Sequence, residues 1–407
     1  MSGRARPRTA PPRARWSARL ALALALALVA LGCGAPAAPR LLAGADGAGP
    51  ACTSAPPAPP APSSASVPSS ASAPSAPSSA SAPSAPARWL KGSTHVHARP
   101  SGDSRTPIPD VLAWYRDHGY DFIALTDHNK VSELDEHRDT FGRVAVSAPE
   151  DGLIVLAGIE LTHNPDPCVP APPEPDGRCR IHVNALGVTA RPAGRLEWAD
   201  RRSDLRLDFY RRALITTREL GGLAQVNHPQ WFWGMSAELL IALARSAPLL
   251  LEIANVQFAS WNEGGAGQPS TEALWDAALA AGLTVWGVAS DDAHTYDGDG
   301  PYPAGGGWVM VHAAPDPDAI LAALARGAFY ASTGVVLARA GREGEELVVE
   351  VSPTSPGAHR IVFIENGARV AEIVGARARR SLPARGTLRA VVTRADGARA
   401  WVQPARR

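Results

Sequence analysis

The chain has 407 residues, with 40 Lys and Arg against 39 Asp and Glu and a formal charge of +1. Six arginines (Arg4, Arg6, Arg8, Arg13, Arg15, Arg19) and no acid precede Cys33, and beyond residue 32 the chain keeps 34 basic and 39 acidic side chains. That mildly acidic body has no basic footprint for nucleic acid, which is excluded as a partner, and the length allows one large domain with additions.

The basic start leads into a twelve-residue apolar run, Leu20 to Leu31. As a helix it rises only about 18 Å, too short for the roughly 30 Å hydrocarbon core, and the length fits the h-region of a signal peptide. "VALGC" resembles a bacterial lipobox with Cys33 as the lipidated residue, so residues 1–33 read as an export signal and the mature chain as a lipoprotein on the periplasmic or cell-surface side of a membrane. Simple cleavage without lipid is the alternative. Residues 34–87 read as a disordered linker: from Ser54 to Ala87 it holds only Ala, Pro and Ser apart from Val67, and nothing there can build a core. Its reach is about 105 Å in polyproline form and nearer 30 Å as a coil.

From Arg88 strand-like and helix-like segments alternate. "STHVHA" (93–98) precedes the helical 108–119, then come "FIALTDHN" (122–129), "GLIVLAGIELTH" (152–163) and "RIHVNALGV" (180–188). Helical 206–222, 237–247, 271–282 and 317–327 separate "LAQVNHP" (223–229), "LLLEIANVQ" (249–257), "TVWGVASDDAH" (284–294) and "GGWVMVHA" (306–313). Repeated strand, crossover helix and strand over residues 88–334 predict an α/β barrel, and no glycine-rich dinucleotide turn favours an open doubly wound sheet. Residues 335–407 show strands with Asn-Gly and Asp-Gly turns and predict a small all-β appendage. Cys168 and Cys179 bracket a proline-rich loop, where an oxidising compartment favours a disulfide; Cys52 has no evident partner.

The chemistry lies in how the strands end. His95 and His97 are two apart and share one face; Asp127 and His128 close the next strand, and Glu160 interrupts an apolar run. His182, His228, and the pair Asp292 and His294 continue the series, whereas His118, His137 and His312 fall outside it. Barrel enzymes collect their active sites at strand ends. Imidazoles and carboxylates without thiolates suit Zn, Mn or Fe, and so many donors imply two or three divalent ions with Glu160 as a bridge. Ions about 3.5–4 Å apart generate a hydroxide near neutral pH, which points to hydrolysis.

"HVH", "LTDHN", "GIELTH", "IHVNALG", "NHP", "SDDAH" and "RGAFYASTG" together resemble the PHP (polymerase and histidinol phosphatase) superfamily, in particular its CehA/McbA-like branch, over residues 89–334. The resemblance implies a distorted (β/α)7 barrel. It implies a first ion on His95, His97, Glu160 and Asp292, and a second on Glu160, His182 and His228. A third falls to His128 and His294, with Asp103 where many relatives have His. The amidohydrolase type shares the opening HxH but bridges its metals through a lysine; this chain has only Lys91 and Lys130, neither on a middle strand. The expected activity is a metal-dependent phosphoesterase, with an aryl carbamate or ester hydrolase and a non-catalytic metal-containing binding lipoprotein as alternatives. Asp292 is the expected proton acceptor, His163 a candidate leaving-group acid, and Arg99 a candidate clamp for a substrate anion. Arg180 reads as a solvated charge, and "QWFWGM" (230–235) as an apolar wall or a packing segment.

Overall fold

The computed structural model describes residues 85–132, 152–166, 168–170, 178–199, 202–265, 267–298 and 300–407. The leader with Cys33, the linker to residue 84, Cys52 and His137 lie outside the described residues.

The alternation read from the sequence is present. β1 (Arg88–Val96), α1 (Ile108–Asp117), β2 (Phe122–Leu125), β3 (Ile154–His163) and β4 (Ile181–Leu186) come first. α2 (Arg206–Glu219), β5 (Leu223–Val226), α3 (Ala237–Ala244) and β6 (Leu249–Asn255) follow, then a short α4 (Ala259–Asn262), α5 (Thr271–Ala280) and β7 (Val285–Ser290). β8 (Trp308–Ala313), α6 (Pro317–Ala325) and β9 (Phe329–Ser332) complete this region. The helices start where their caps dictate: Ser236, Ser270 and Asp316 accept from the backbone N–H of Leu239, Ala273 and Ala319, and Pro317 opens α6.

The structure differs from the expected distorted (β/α)7 barrel in two respects. β4 runs antiparallel to both β3 and β5. A parallel return needs a crossover of a dozen or more residues, usually helical. Between His163 and Ile181 the chain carries prolines and the Cys168–Cys179 disulfide, whose Cα atoms are 6.0 Å apart. Nor is the ring closed by a ladder. β1 and β7 meet at one parallel bridge, Val96 with Ala293, where His97 N donates to Ala293 O (3.0 Å).

The C-terminal all-β region is present as β10 (Leu337–Glu343), β11 (Glu346–Val351), β12 (His359–Glu365), β13 (Ala368–Val374), β14 (Arg377–Ser381), β15 (Leu388–Arg394) and β16 (Arg399–Ala405). Four of these strands extend the main sheet, giving 13 strands in the order β13-β12-β15-β16-β9-β8-β1-β2-β3-β4-β5-β6-β7; β10, β11 and β14 form a second sheet. The outer edge of β7 is met by Gln403 on β16, which donates to Gly287 O (2.7 Å) and accepts from Gly287 N (2.9 Å).

The period of two along each strand then positions the site. Leu90, Ala124, Leu156, Leu186, Leu250 and Val288, one from each of six strands, pack into one buried cluster inside the curl. Stepping by two along that inner face leads from Leu156 to Glu160, from Leu250 to Glu252, and from Val288 through Ser290 to Asp292. β4 runs the other way, so it reaches the same mouth at its beginning, through Asn184 and His182.

Candidate metal centre

At the mouth Glu160 is fully buried, and five imidazoles converge on it. Its Oε1 lies 3.3 Å from His95 Nε2, 3.1 Å from His182 Nδ1 and 3.8 Å from His228 Nε2. Its Oε2 lies 3.9 Å from His97 Nε2 and in contact with His128 Nδ1. Asp292 Oδ1 faces His95 Nε2 (3.1 Å) and His97 Nε2 (3.3 Å), while Asp103 Oδ2 faces His128 Nε2 (2.9 Å) and His294 Nε2 (3.3 Å). Three donor triads that could each hold an ion result: His95, His97 and Asp292; Glu160, His182 and His228; and His97, His128 and His294, with ligand atoms within 4.8 Å of one another. The structure brings together all nine residues expected as metal ligands.

The triads fit divalent metals on an independent observation. His95 Nε2 and His97 Nε2 are buried ring nitrogens with no hydrogen-bond partner, although carboxylate oxygens stand close by. Buried polar atoms are normally satisfied, so these two aim at something other than a hydrogen bond. On His95 the other nitrogen, Nδ1, donates to Glu252 Oε1 (2.7 Å), which fixes the ring with Nε2 turned toward Glu160 and Asp292.

Electrostatics at the mouth follow from burial against mutual charge. Burial, helped by the neighbouring His294 and His128, takes His97 down to about 3; burial also dominates at His182, which falls to about 4 despite Glu160. Both rings are therefore neutral ligands at ordinary pH. Burial opposes charge on His128 too, yet Glu160 and Asp103 raise it to about 10. At His95 burial is outweighed by Asp292, Glu252 and Glu160, which hold it well above its usual range. Burial favours the neutral forms of Glu160 and Asp292, but the surrounding imidazoles keep both ionised well below the ordinary carboxylate range.

Sequence reasoning missed the residues that hold these ligands. Glu252, fully buried on β6, accepts from His228 N (2.6 Å), Ser290 Oγ (2.6 Å) and Asn255 Nδ2 (3.0 Å) as well as from His95. Asn227 Nδ2 and Thr162 Oγ1 donate to the two oxygens of Glu160 (2.8 and 2.9 Å). Ser101 Oγ meets His97 Nδ1 (2.8 Å) and accepts from His128 N (3.0 Å). The readable signal for Glu252 was a lone carboxylate inside "LLLEIA".

Two expected roles are corrected. Arg99 is exposed, and its guanidinium donates to Arg105 O from Nε and Nη2 (both 3.3 Å), away from the metal ligands. His163 is an odd number of residues from Glu160, so the pleat turns it to the other face, where it meets the rings of Phe209 (5.0 Å) and Trp198 (5.9 Å). Arg180 is not simply solvated: it stacks over Trp231 (5.2 Å) and Phe232 (5.9 Å). Of the histidines set aside, His118 stacks on Trp114 and His312 packs on Trp89.

A cavity of about 410 Å³ opens over the triads, its polar side including Asp103, His128 and Arg195 and its apolar side Trp231, Phe258 and Tyr302. Trp231 meets Phe258 (4.8 Å), His228 (5.1 Å) and His182 (5.6 Å) edge-on or tilted. Its turn is tied from behind by Arg206, a buried residue whose Nη1 donates to Gly234 O (2.8 Å) and whose Nη2 approaches Cys168 Sγ (3.9 Å). A Cβ on Gly234 would sit 2.4 Å from that guanidinium. Left-handed φ values gather here on non-glycine residues: His228 (22°), Phe232 (51°), Trp233 (60°), Asp292 (46°) and Tyr302 (59°). Each costs roughly 1–3 kcal/mol and persists where the surroundings over-determine it, typically at ligand-holding sites.

No protein-family model and no curated protein matches the chain. Among solved structures it is similar to a two-domain protein from Bacteroides vulgatus ATCC 8482 containing a predicted PHP-like metal-dependent phosphoesterase. The likeness has 15% sequence identity, covers 78% of this chain and 95% of that one, and gives a TM-score of 0.41.

Proposed function

We propose that the chain is a metal-dependent hydrolase acting on phosphoesters, with two or three divalent ions (Zn, Mn or Fe) held around Glu160. The observation that carries this reading is the convergence of five imidazoles within 3.9 Å of one buried carboxylate. The strand-end motifs that resemble the PHP superfamily support the same chemistry. Bound divalent ions would supply Lewis acidity and an activated water for in-line displacement.

The chain's own residues divide the remaining work. Glu160 and Asp292 provide the anionic donors, and His97 and His182 the neutral imidazoles. Asp292 borders the cavity with Asn255 Nδ2 donating to its Oδ2 (3.3 Å), which orients it to take a proton from the attacking water. The strained turns at His228 and Asp292 hold both side chains in the mouth before any ligand arrives.

A second reading, hydrolysis of an aryl carbamate or ester, draws on the wall of Trp231, Phe258 and Tyr302, which suits a flat apolar leaving group. A non-catalytic metal-binding lipoprotein is the third; the complete donor sets count against it. The decisive experiment assays purified protein on p-nitrophenyl phosphate, bis-p-nitrophenyl phosphate and 1-naphthyl carbamate alongside metal analysis. Metal-dependent turnover of either phosphoester supports the first reading, turnover of the carbamate alone the second, and none of the three with ions fully bound the third. Export and anchoring through Cys33 belong to the same proposal. Palmitate labelling that disappears in Cys33→Ser supports the anchor, and release of the wild type as soluble protein removes it.

A further inference from the structure

Among the described residues, Arg195 is the only Lys or Arg lining the cavity over the triads. It is exposed, and among the described residues it forms no ion pair, whereas Arg206 and Arg212 are bonded to Gly234 O and Glu219. An unpartnered surface arginine is ordinary; the backbone that carries this one is not. Leu196 N donates to Asn129 O (2.7 Å), and Trp198 Nε1 donates to Asn129 Oδ1 (2.8 Å). Asn129 is the neighbour of His128 and sits at φ 54°. Its side chain is locked to β3 in both directions, Nδ2 donating to Thr162 O (2.8 Å) and Oδ1 accepting from Thr162 N (2.9 Å). Trp198 is braced in turn by the ring of His163. Residue 195 is thus pinned beside the metal ligands by bonds on the segment that follows it, and its guanidinium is left free.

A guanidinium offers paired N–H donors that match two oxygens of a phosphate, and it gains little from a neutral carbamate. We infer that Arg195 is the specificity-determining residue of this site, gripping a terminal phosphate so that dianionic phosphomonoesters are selected over neutral esters and carbamates. This rests on the hydrolase reading above and assigns its substrate class.

The test uses the full-length, Mn-loaded protein as wild type, Arg195→Ala and Arg195→Lys. Metal content and thermal melting verify that the variants remain loaded and folded. Inorganic phosphate binding is measured by calorimetry, and kcat/KM is compared for p-nitrophenyl phosphate and p-nitrophenyl acetate. Arg195→Ala is expected to weaken phosphate binding about tenfold or more and to lower the monoester-to-acetate ratio by a similar factor through KM, with Arg195→Lys recovering part of both. Phosphate binding within about twofold of wild type in Arg195→Ala, or equal losses on both esters, overturns the assignment. The two readings fail separately. Phosphate held through Arg195 without turnover of either ester sinks the hydrolase and leaves the anion site standing. Metal-dependent acetate turnover with phosphate binding indifferent to Arg195 does the reverse.

Discussion

The mouth of the curled sheet and the C-terminal strands both bury charge, and they do so on opposite terms. On β15 Arg389 is 2% exposed, yet every part of it is answered: Nε and Nη2 donate to the two oxygens of Asp276 (both 2.7 Å), Nη1 donates to Glu272 (3.0 Å), and its Cζ lies 4.8 Å from the centre of the Trp275 ring. At the mouth the Nε2 atoms of His95 and His97 stand near carboxylates but have no hydrogen-bond partner. A structural charge network ends in well-aligned hydrogen bonds, whereas a ligand site aims its ligand atoms at a common point. Alignment, more than charge count, separates the two.

The largest expected effect tests the centre of the mouth. Glu160→Gln should lower bound metal by at least one equivalent and reduce kcat by roughly a thousandfold or more, since the buried carboxylate on which five imidazoles converge loses its charge. Elemental analysis showing full metal occupancy in that variant would count against Glu160 as a shared ligand. Glu252→Gln should keep the ions but weaken metal affinity roughly 10–100-fold, because His95 loses the partner that sets its tautomer; competition with a chelator measures it. Arg389→Ala reverses the pattern. It should cost about 3–5 kcal/mol of stability in denaturant melts by stranding Asp276 and Glu272, with metal content unchanged. A loss of metal there would erase the distinction between the two regions. The smallest effect is expected at Arg99→Ala, which removes only exposed bonds to Arg105 O and should leave stability within about 0.5 kcal/mol and kcat/KM within about twofold.

The ligands were legible because each interrupts or ends an apolar run and has further polar residues beside it: Glu160 after "LIVLAGI", Asp292 after "VWGVASD", His228 after "AQVN". Glu252 carried a similar mark but was passed over, because it stands alone with Leu250 and Leu251 before it and Ile253 and Ala254 after it. Strand direction was not legible, since a period of two is the same read either way. The proline-rich sequence between His163 and Ile181, with no helical pattern to carry a crossover, was the available clue to an antiparallel β4. Arg195 and the Asn129 anchor lie in irregular segments whose course is set by side-chain bonds over long sequence separations, so no local pattern announces them. The (β/α)7 reading failed at closure for a related reason: one bridge at Val96 and Ala293 is a tertiary fact with no sequence period.

At the far side of β7, one glutamine stands in for a strand that is not there. By returning both a donor and an acceptor to Gly287, the amide of Gln403 satisfies the peptide groups that an unfinished rim would otherwise offer to a second molecule. The tail of the chain is in that sense a stopper. Cutting the protein after residue 334 would uncover a sticky margin, and the shortened product should be caught self-associating before it could be assayed.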